Sequence, residues 1–336
     1  MFKDKNTEKL FKRVKRLRQR DEVWEVSLRR ARVWVGGKDE TPRRPDMLMM
    51  VDRADGSILR SEIKEHALSA EAFFFELLQG MRSPAWFAGG KRRPSTIYVD
   101  NADYVATLSP WFAQLNVACE YRPMLPVVDQ VMVSMEKQIN PGGALPGLLK
   151  IRGMTPPLIE HIYALAGEFY QLAPWRWMDD DSPFEIRFPT NSRSRYAVVM
   201  GSNATIFGLA VYDSLDDLQD ALSYPIDTSD SSAFVLHFNE MTAMNFDDLD
   251  AMEKYGWTVV GDWAYPIFFR AKGHDEVEPP RPQDMFWLEG ALSAIVPFIR
   301  DKMRAQGYRV WPAELTMPVA TISGEKDVYL QVPADV

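Results

Sequence analysis

The sequence predicts a two-module protein: an α/β module with a mixed sheet and helices, followed by a mainly antiparallel α+β module. Its 336 residues exceed the usual size of one domain and suit two domains of roughly 150 residues each. Hydrophobic residues make up 46% and charged residues 26% of the chain, which is typical of a protein with a substantial core. Pro and Gly cluster between residues 140 and 147, which indicates a loop between the modules.

These observations divide the chain into four segments. We expect a basic amphipathic helix at residues 1–20, a first module at 21–141, a linker with a helix at 142–182, and a second module at 183–336.

The first segment is strongly basic. Residues 1–44 carry fifteen Lys or Arg and seven Asp or Glu, a net charge of +8, whereas the remainder carries 24 basic and 40 acidic residues, a net charge of −16. Four apolar residues recur at helical spacing among the basic ones: Leu10, Phe11, Val14 and Leu17. We expect this helix to dock on the fold and leave its basic face in solvent.

The alternative is an arm at residues 3–20 that binds nucleic acid or a membrane surface. Its candidate contacts are Lys12, Arg13, Lys15 and Arg16.

The first module has the predicted order β-β-β-α-β-α-β-α. Gly56 provides the hairpin between the second and third strands, while Ser69 and Asn101 are N-cap residues that begin helices. The predicted strands are Val23–Val35, Asp46–Val51, Ser57–Ile63, Ser95–Val99 and Val117–Tyr121. The predicted helices run from Ser69 to about Arg82, from Asn101 to about Leu115 and from Val127 to about Ile139.

The second module is predicted from apolar runs separated by turn residues. Its helices, with the linker helix, are expected at Pro157–Leu172, Leu215–Leu222, Asp247–Tyr255 and Pro282–Gln306. Its strands are expected at Phe184–Phe188, Tyr196–Met200, Phe207–Tyr212, Ala233–Phe238 and Tyr265–Arg270. A small final sheet is expected from Tyr308–Val310, Met317–Ile322 and Val328–Val332.

Residues 22–140 resemble the ribonuclease-H-like fold of retroviral integrases and transposases. The element order is similar, and four segments carry the likeness: Trp24-Glu-Val-Ser27, Met47-Leu-Met-Met-Val-Asp-Arg-Ala-Asp-Gly-Ser-Ile-Leu-Arg60, Ile97-Tyr-Val-Asp-Asn101 and Val133-Ser-Met-Glu-Lys137. The resemblance implies a ribonuclease-H-like mixed sheet with helices in the first module.

The resemblance also implies where an active site would lie. Those enzymes hold two divalent metal ions between three carboxylates. The two metal ions together polarise the phosphate and activate the attacking water. The corresponding positions here are Ser27, Asp100 and Val133, with Glu136 one turn further along the helix. The resemblance therefore implies a retained fold with lost catalysis. The alternative is a rebuilt Mg²⁺ or Mn²⁺ site of Asp52, Asp100 and Glu136.

The whole chain is also similar to an uncharacterised group of bacterial proteins with paired domains of unassigned function. The segments that carry this likeness are Arg44–Asp52, Val199–Ser202 and Phe207–Tyr212. No activity follows from it.

Other sites find little support in the sequence. The single Cys119 excludes a disulfide framework and a Cys-based zinc site, and there is no phosphate loop, dinucleotide fingerprint or nucleophile elbow. We therefore expect a non-catalytic intracellular interaction protein with an unknown protein partner and no cofactor. The alternatives are a metal-dependent nuclease or phosphoryl-transfer enzyme, and a nucleic-acid-binding adaptor.

With no apolar run near the ~18 residues of a membrane span and no secretory signal, we expect a cytoplasmic protein without membrane contact.

Overall fold

A computed structural model describes residues 4–36, 41–139, 145–178, 182–188, 193–202, 206–223, 232–273, 276–303 and 312–334. The chain divides into two compact units, Met1–Gly143 and Ala144–Val336. The described residues form eight α-helices and two sheets, one mixed and one antiparallel. No helix in these ranges is both long enough and apolar enough to cross a membrane.

The first unit contains four helices and five strands. The helices are α1 (Lys5–Val14), α2 (Ala70–Arg82), α3 (Ala102–Ala113) and α4 (Pro126–Ile139). The strands are β1 (Val23–Arg30), β2 (Asp46–Asp52), β3 (Ile58–Lys64), β4 (Thr96–Val99) and β5 (Ala118–Tyr121). The predicted order of strands and helices is confirmed, although β1 ends at Arg30 instead of continuing to Val35.

The sheet of the first unit has the strand order β3-β2-β1-β4-β5. Strands β1 to β3 form an antiparallel meander, and β4 and β5 run parallel to β1. Both predicted N-caps are present, because Ser69 accepts a hydrogen bond from the backbone N–H of Ala72 and Asn101 accepts one from Tyr104. These caps satisfy amide groups that have no partner within the helix.

The two faces of this sheet bury different side chains, as the period of two along a strand requires. Trp24 and Val26 of β1 point to the larger core, which is shared with α1, α2 and α3. Residues of the opposite parity face α4. There Met49 and Val51 of β2 pack with Val128 at the start of α4.

The second unit contains four helices and eight strands within the described residues. The helices are α5 (Pro156–Leu172), α6 (Leu215–Ser223), α7 (Phe246–Tyr255) and α8 (Pro282–Pro297). The strands are β6 (Phe184–Arg187), β7 (Arg195–Met200), β8 (Phe207–Tyr212), β9 (Ser232–Asn239), β10 (Tyr265–Lys272), β11 (Glu276–Glu278), β12 (Ala313–Thr321) and β13 (Gly324–Val332).

These strands form one antiparallel sheet of order β11-β10-β9-β8-β7-β6-β13-β12. The prediction of a small separate final sheet was therefore wrong, because β13 pairs with β6 and extends the main sheet through Leu330 opposite Ile186. Residues 308–310, predicted as a strand, lie outside the described residues.

Helix α8 is shorter than predicted. Its α-helical part ends at Pro297, and a π-helical turn continues over Phe298–Met303. Proline has no backbone N–H and clashes with the preceding turn, which accounts for the change in helix type at this point. The predicted end at Gln306 lies outside the described residues.

Candidate functional site

Two of the positions that the sequence aligns with metal-binding acids lie side by side in the first unit. Strands β1 and β4 are parallel neighbours, and their register pairs Val26 with Val99. The next residues along the chain, Ser27 after Val26 and Asp100 after Val99, both face α4. The Ser27 hydroxyl donates a hydrogen bond to Asp100 Oδ2 over 2.6 Å.

Arg29 joins this pair through its guanidinium group. It lies two residues after Ser27 on β1, so both side chains leave the same face of the sheet. Arg29 Nε donates to Ser27 Oγ over 2.7 Å, and Arg29 Nη2 donates to Asp100 Oδ2 over 3.0 Å. Arg29 Nη1 donates to Asp129 Oδ1 on α4 over 2.7 Å. One cation therefore connects β1, the end of β4 and the first turn of α4.

The third aligned position carries no acid, and its neighbour points elsewhere. Val133 on α4 is 48% exposed, and the Glu136 carboxylate lies 3.6 Å from Arg32. Glu136 follows Asp129 by seven residues, which is about 10.5 Å along a helix axis. The structure thus brings Ser27 and Asp100 together but leaves Glu136 about two turns of α4 away from the contact with Arg29.

Asp52, the remaining member of the alternative metal site, lies on the opposite face of the sheet. It is paired in register with Trp24 and therefore shares the face of the larger core. Its Oδ1 accepts a hydrogen bond from the backbone N–H of Ala54 over 3.0 Å, and its Oδ2 lies 3.6 Å from Arg92. Asp52 thus stabilises the β2–β3 turn and does not join Asp100. The structure therefore does not bring together Asp52, Asp100 and Glu136, the three carboxylates of the alternative metal site. Among the described residues no group of three His, Cys, Asp or Glu side chains could hold a metal ion.

Glu25 is a buried acid beside this site that the sequence did not single out. Its side chain is buried on the α4 face of β1, and Oε2 accepts hydrogen bonds from the backbone N–H groups of Val127 and Val128 over 2.9 and 3.1 Å. Arg53 approaches Oε1 to 3.3 Å. The first amides of a helix lack internal partners and attract negative charge, so Glu25 fixes the start of α4. An acid inside an apolar strand was the signal in the sequence.

The second unit contains a buried ion pair between its sheet and α8. Arg270 on β10 binds Asp284 with two hydrogen bonds, of 2.8 and 3.0 Å, and Asp213 accepts a third over 2.7 Å. Burial alone would raise the pKa of Asp284, but the bonds from Arg270 and from the backbone N–H of Arg281 hold it below its usual value. Arg195 also lies 3.2 Å from Asp284 and 3.0 Å from Asp213, so two cations and two anions neutralise one another, which favours a structural role.

Asp248, at the start of α7, has a raised pKa, whereas the pKa of Asp284 is lowered. Burial raises its pKa to about 6, and the hydrogen bond from the backbone N–H of Leu148 lowers it only partly. A shifted carboxyl is a common sign of a functional site. Here its hydrogen bond joins α7 to the chain that precedes α5, which is a structural task.

Comparisons with known proteins divide the chain into the same two parts. Residues 10–136 match a family model described as "Domain of unknown function (DUF6930)", and residues 160–284 match one described as "Domain of unknown function (DUF7309)". No curated protein matches the chain. The two matches fit an uncharacterised two-domain family.

The first prediction concerns the cation at the centre of the site. Arg29→Ala is expected to lower the free energy of unfolding by about 1 to 2 kcal/mol, because Asp100 and Asp129 lose their shared partner in a half-exposed position. Millimolar Mg²⁺ is expected to restore part of this loss in the variant and to leave the wild type unchanged. Urea titrations with and without Mg²⁺ measure both effects.

Arg30→Ala is the matched control for this experiment, because Arg30 is the next residue on β1 and approaches Asp46 instead. We expect its free energy of unfolding to change by no more than about 0.5 kcal/mol, with no response to Mg²⁺. An Arg29→Ala variant as stable as the wild type would contradict the central role of Arg29.

The second prediction follows from the raised pKa of Asp248. The ionised form of Asp248 is disfavoured in the folded chain. The contribution of its protonated carboxyl to the free energy of unfolding is therefore complete below pH ~4 and is lost as the pH rises through about 6. Asp248→Asn keeps an acceptor for Leu148 and cannot ionise. Relative to the wild type, the variant is expected to gain up to about 3 kcal/mol between pH ~4 and ~7. Urea titrations across this pH range, with Asp220→Asn on α6 as an exposed control, measure the difference. A constant difference between Asp248→Asn and the wild type at every pH would contradict the prediction.

Proposed function

We propose that this is an intracellular interaction protein without catalytic activity, whose first unit retains a ribonuclease-H-like fold. The observation that supports it most is the position of the Arg29 guanidinium, which contacts Ser27, Asp100 and α4 at once. In the enzymes that this unit resembles, the corresponding positions carry the acids that bind divalent metals.

The arrangement of the first sheet supports the fold part of the proposal. A meander of β3, β2 and β1 is followed on the other side of β1 by the parallel strands β4 and β5. Helix α4 then packs on the face that carries Ser27 and Asp100. In this arrangement β1, the end of β4 and α4 lie next to one another. These elements carry Ser27, Asp100 and Val133, the positions that correspond to the metal-binding acids of the enzymes that the unit resembles.

The charges at this place disfavour the binding of two divalent ions. Arg29, Asp100 and Asp129 together carry a formal charge of −1, whereas a two-metal site must balance a charge of +4. Two like unit charges about 4 Å apart repel by about 4 kcal/mol near a protein surface, and a divalent ion beside Arg29 doubles this cost. The residues present therefore do not fit a two-metal centre, and we propose no reaction step through one.

The alternative nuclease with Asp52, Asp100 and Glu136 has no geometric support. Asp52 faces the larger core on the other side of the sheet, and Glu136 approaches Arg32. An exposed pair of adjoining aromatic rings supports an interaction role instead, because contiguous apolar groups on a protein surface mark contact sites. In the first unit Trp86 is 92%, Met124 72% and Phe87 58% exposed.

The third prediction tests the absence of catalysis. Wild-type protein with Mg²⁺ or Mn²⁺ is expected to leave labelled single-stranded and duplex DNA and RNA intact, because the part of the chain that the structure describes contains no set of carboxylates that could hold the metals. Denaturing gels measure cleavage, with Asp100→Ala in parallel. Metal-dependent cleavage by the wild type that disappears in Asp100→Ala would contradict the proposed function.

A further inference from the structure

Helix α1 presents a dense positive surface to solvent. Its apolar residues Leu10, Phe11 and Val14 are buried in the larger core of the first unit. Between Lys5 and Arg20 the chain has eight Lys or Arg residues, and all eight are exposed. Asp4 and Glu8 are the acids of residues 4–20, so this surface carries a net charge of +6. An acidic chain thus has one strongly basic face.

The basic residues of α1 form a row along the helix. Lys5, Lys9 and Lys12 are separated by four and three residues, which places them on one side of the helix with neighbours about 5 to 6 Å apart, and Arg16 lies in the turn that follows α1. Lys12 forms an i,i+4 ion pair with Glu8. A row of cations at this spacing is suited to a polyanion, since it can contact several charges of one chain.

Two aromatic rings are held outward in the loop between α2 and β4. Trp86 is 92% and Phe87 58% exposed, and their rings lie edge to face with centroids 5.6 Å apart. Ala88, next to them, is buried, and Arg92 donates hydrogen bonds to the carbonyl groups of Ala88 and Gly90 over 2.8 and 3.1 Å. The loop is therefore anchored on both the apolar and the polar side, while the indole faces solvent.

This loop lies beside the basic segment. The backbone N–H of Arg93 donates to the carbonyl of Arg18, and the N–H of Arg20 donates to the carbonyl of Arg93, over 3.0 and 2.9 Å. Arg93 Nε also donates to the carbonyl of Leu17 over 3.1 Å. Lys91, between the aromatic pair and Arg93, is exposed. The hydrogen bonds of Arg93 thus join the loop that carries the aromatic pair to the basic segment, at the end of the sheet where β1 and β4 begin.

We propose that this surface, formed by the basic face of residues 5–20 and the pair Trp86–Phe87, binds single-stranded nucleic acid. The proposal rests on the proposed interaction function and names the chemical class of its partner. Phosphates would contact the row of cations on α1, and an unpaired base would stack on the Trp86 indole. Non-specific single-strand binding combines these two elements in general: a positive track for the backbone and exposed rings for the bases.

The aromatic pair is the reason to favour a single strand over a duplex. The faces of bases within a duplex are covered by their neighbours, so an exposed indole adds little to duplex binding. It adds a stacking contact for every unpaired base that reaches it. An acidic protein would satisfy the cations equally well, but it would gain from Trp86 only by offering a matching pocket.

The fourth prediction tests this surface by fluorescence anisotropy with full-length protein. The probes are a labelled oligothymidylate of about 15 nucleotides and a duplex of equal length, at ~50 and ~200 mM salt. We expect the single strand to bind more tightly than the duplex, with a steep dependence on salt. Trp86→Ala is expected to weaken single-strand binding about tenfold and Trp86→Phe to retain most of it.

Matched variants separate this surface from general effects. Trp263→Ala removes another exposed Trp, 61% exposed in the second unit, and is expected to bind as the wild type does. Reversal of Lys12, Arg13, Lys15 and Arg16 to Glu is expected to weaken binding at least about 100-fold at low salt and to reduce the log–log salt slope by about 3. The control reverses four exposed basic residues of the second unit: Arg152, Lys254, Lys272 and Lys302.

Two results would overturn the inference: no single-strand binding at low salt, or single-strand binding that survives either Trp86→Ala or the charge reversal at residues 12–16. Folding of each variant is checked by circular dichroism, and the conservative Trp86→Phe variant keeps the aromatic test valid if Trp86→Ala does not fold. Gels of the same samples report cleavage separately. Absence of binding without cleavage would therefore refute the partner class and leave the non-catalytic proposal standing.

Discussion

The contacts of Arg29 are the constraint on which the α4 face of the first unit depends. A guanidinium group offers five donors in a planar fork, and here it serves one hydroxyl and two carboxylates from three different elements. Asp100 and Asp129 both rely on it for neutralisation. A positive charge attached covalently to β1 thus holds Ser27, Asp100 and Asp129 together.

Parity along β1 organises the rest of the unit. Alternate residues point to opposite faces, so Trp24 and Val26 build the larger core while Glu25, Ser27 and Arg29 form a polar line beneath α4. Glu25 binds the first amides of α4, and Arg29 binds Asp129 in the same turn. The helix is therefore positioned by two charged contacts from one strand together with the apolar packing of Val128.

Local signals in the sequence predicted the secondary structure of the first unit well, since caps such as Ser69 and turn residues such as Gly56 act over a few residues. The site was harder to predict. Asp52 and Asp100 are both acids at the ends of strands, and only the strand register shows that they lie on opposite faces of the sheet. Arg29 was missed because its partners lie 71 and 100 residues away. Trp86 was missed because the exposure of a side chain depends on what packs around its loop.

The most direct test of this account is a titration of Mn²⁺ into the wild-type protein, followed by the electron paramagnetic resonance signal of the free ion. Because the Arg29 guanidinium occupies the place between Ser27, Asp100 and α4, the account predicts that the signal is the same with and without protein. A stoichiometric loss of the free-ion signal that Asp100→Ala abolishes would contradict it.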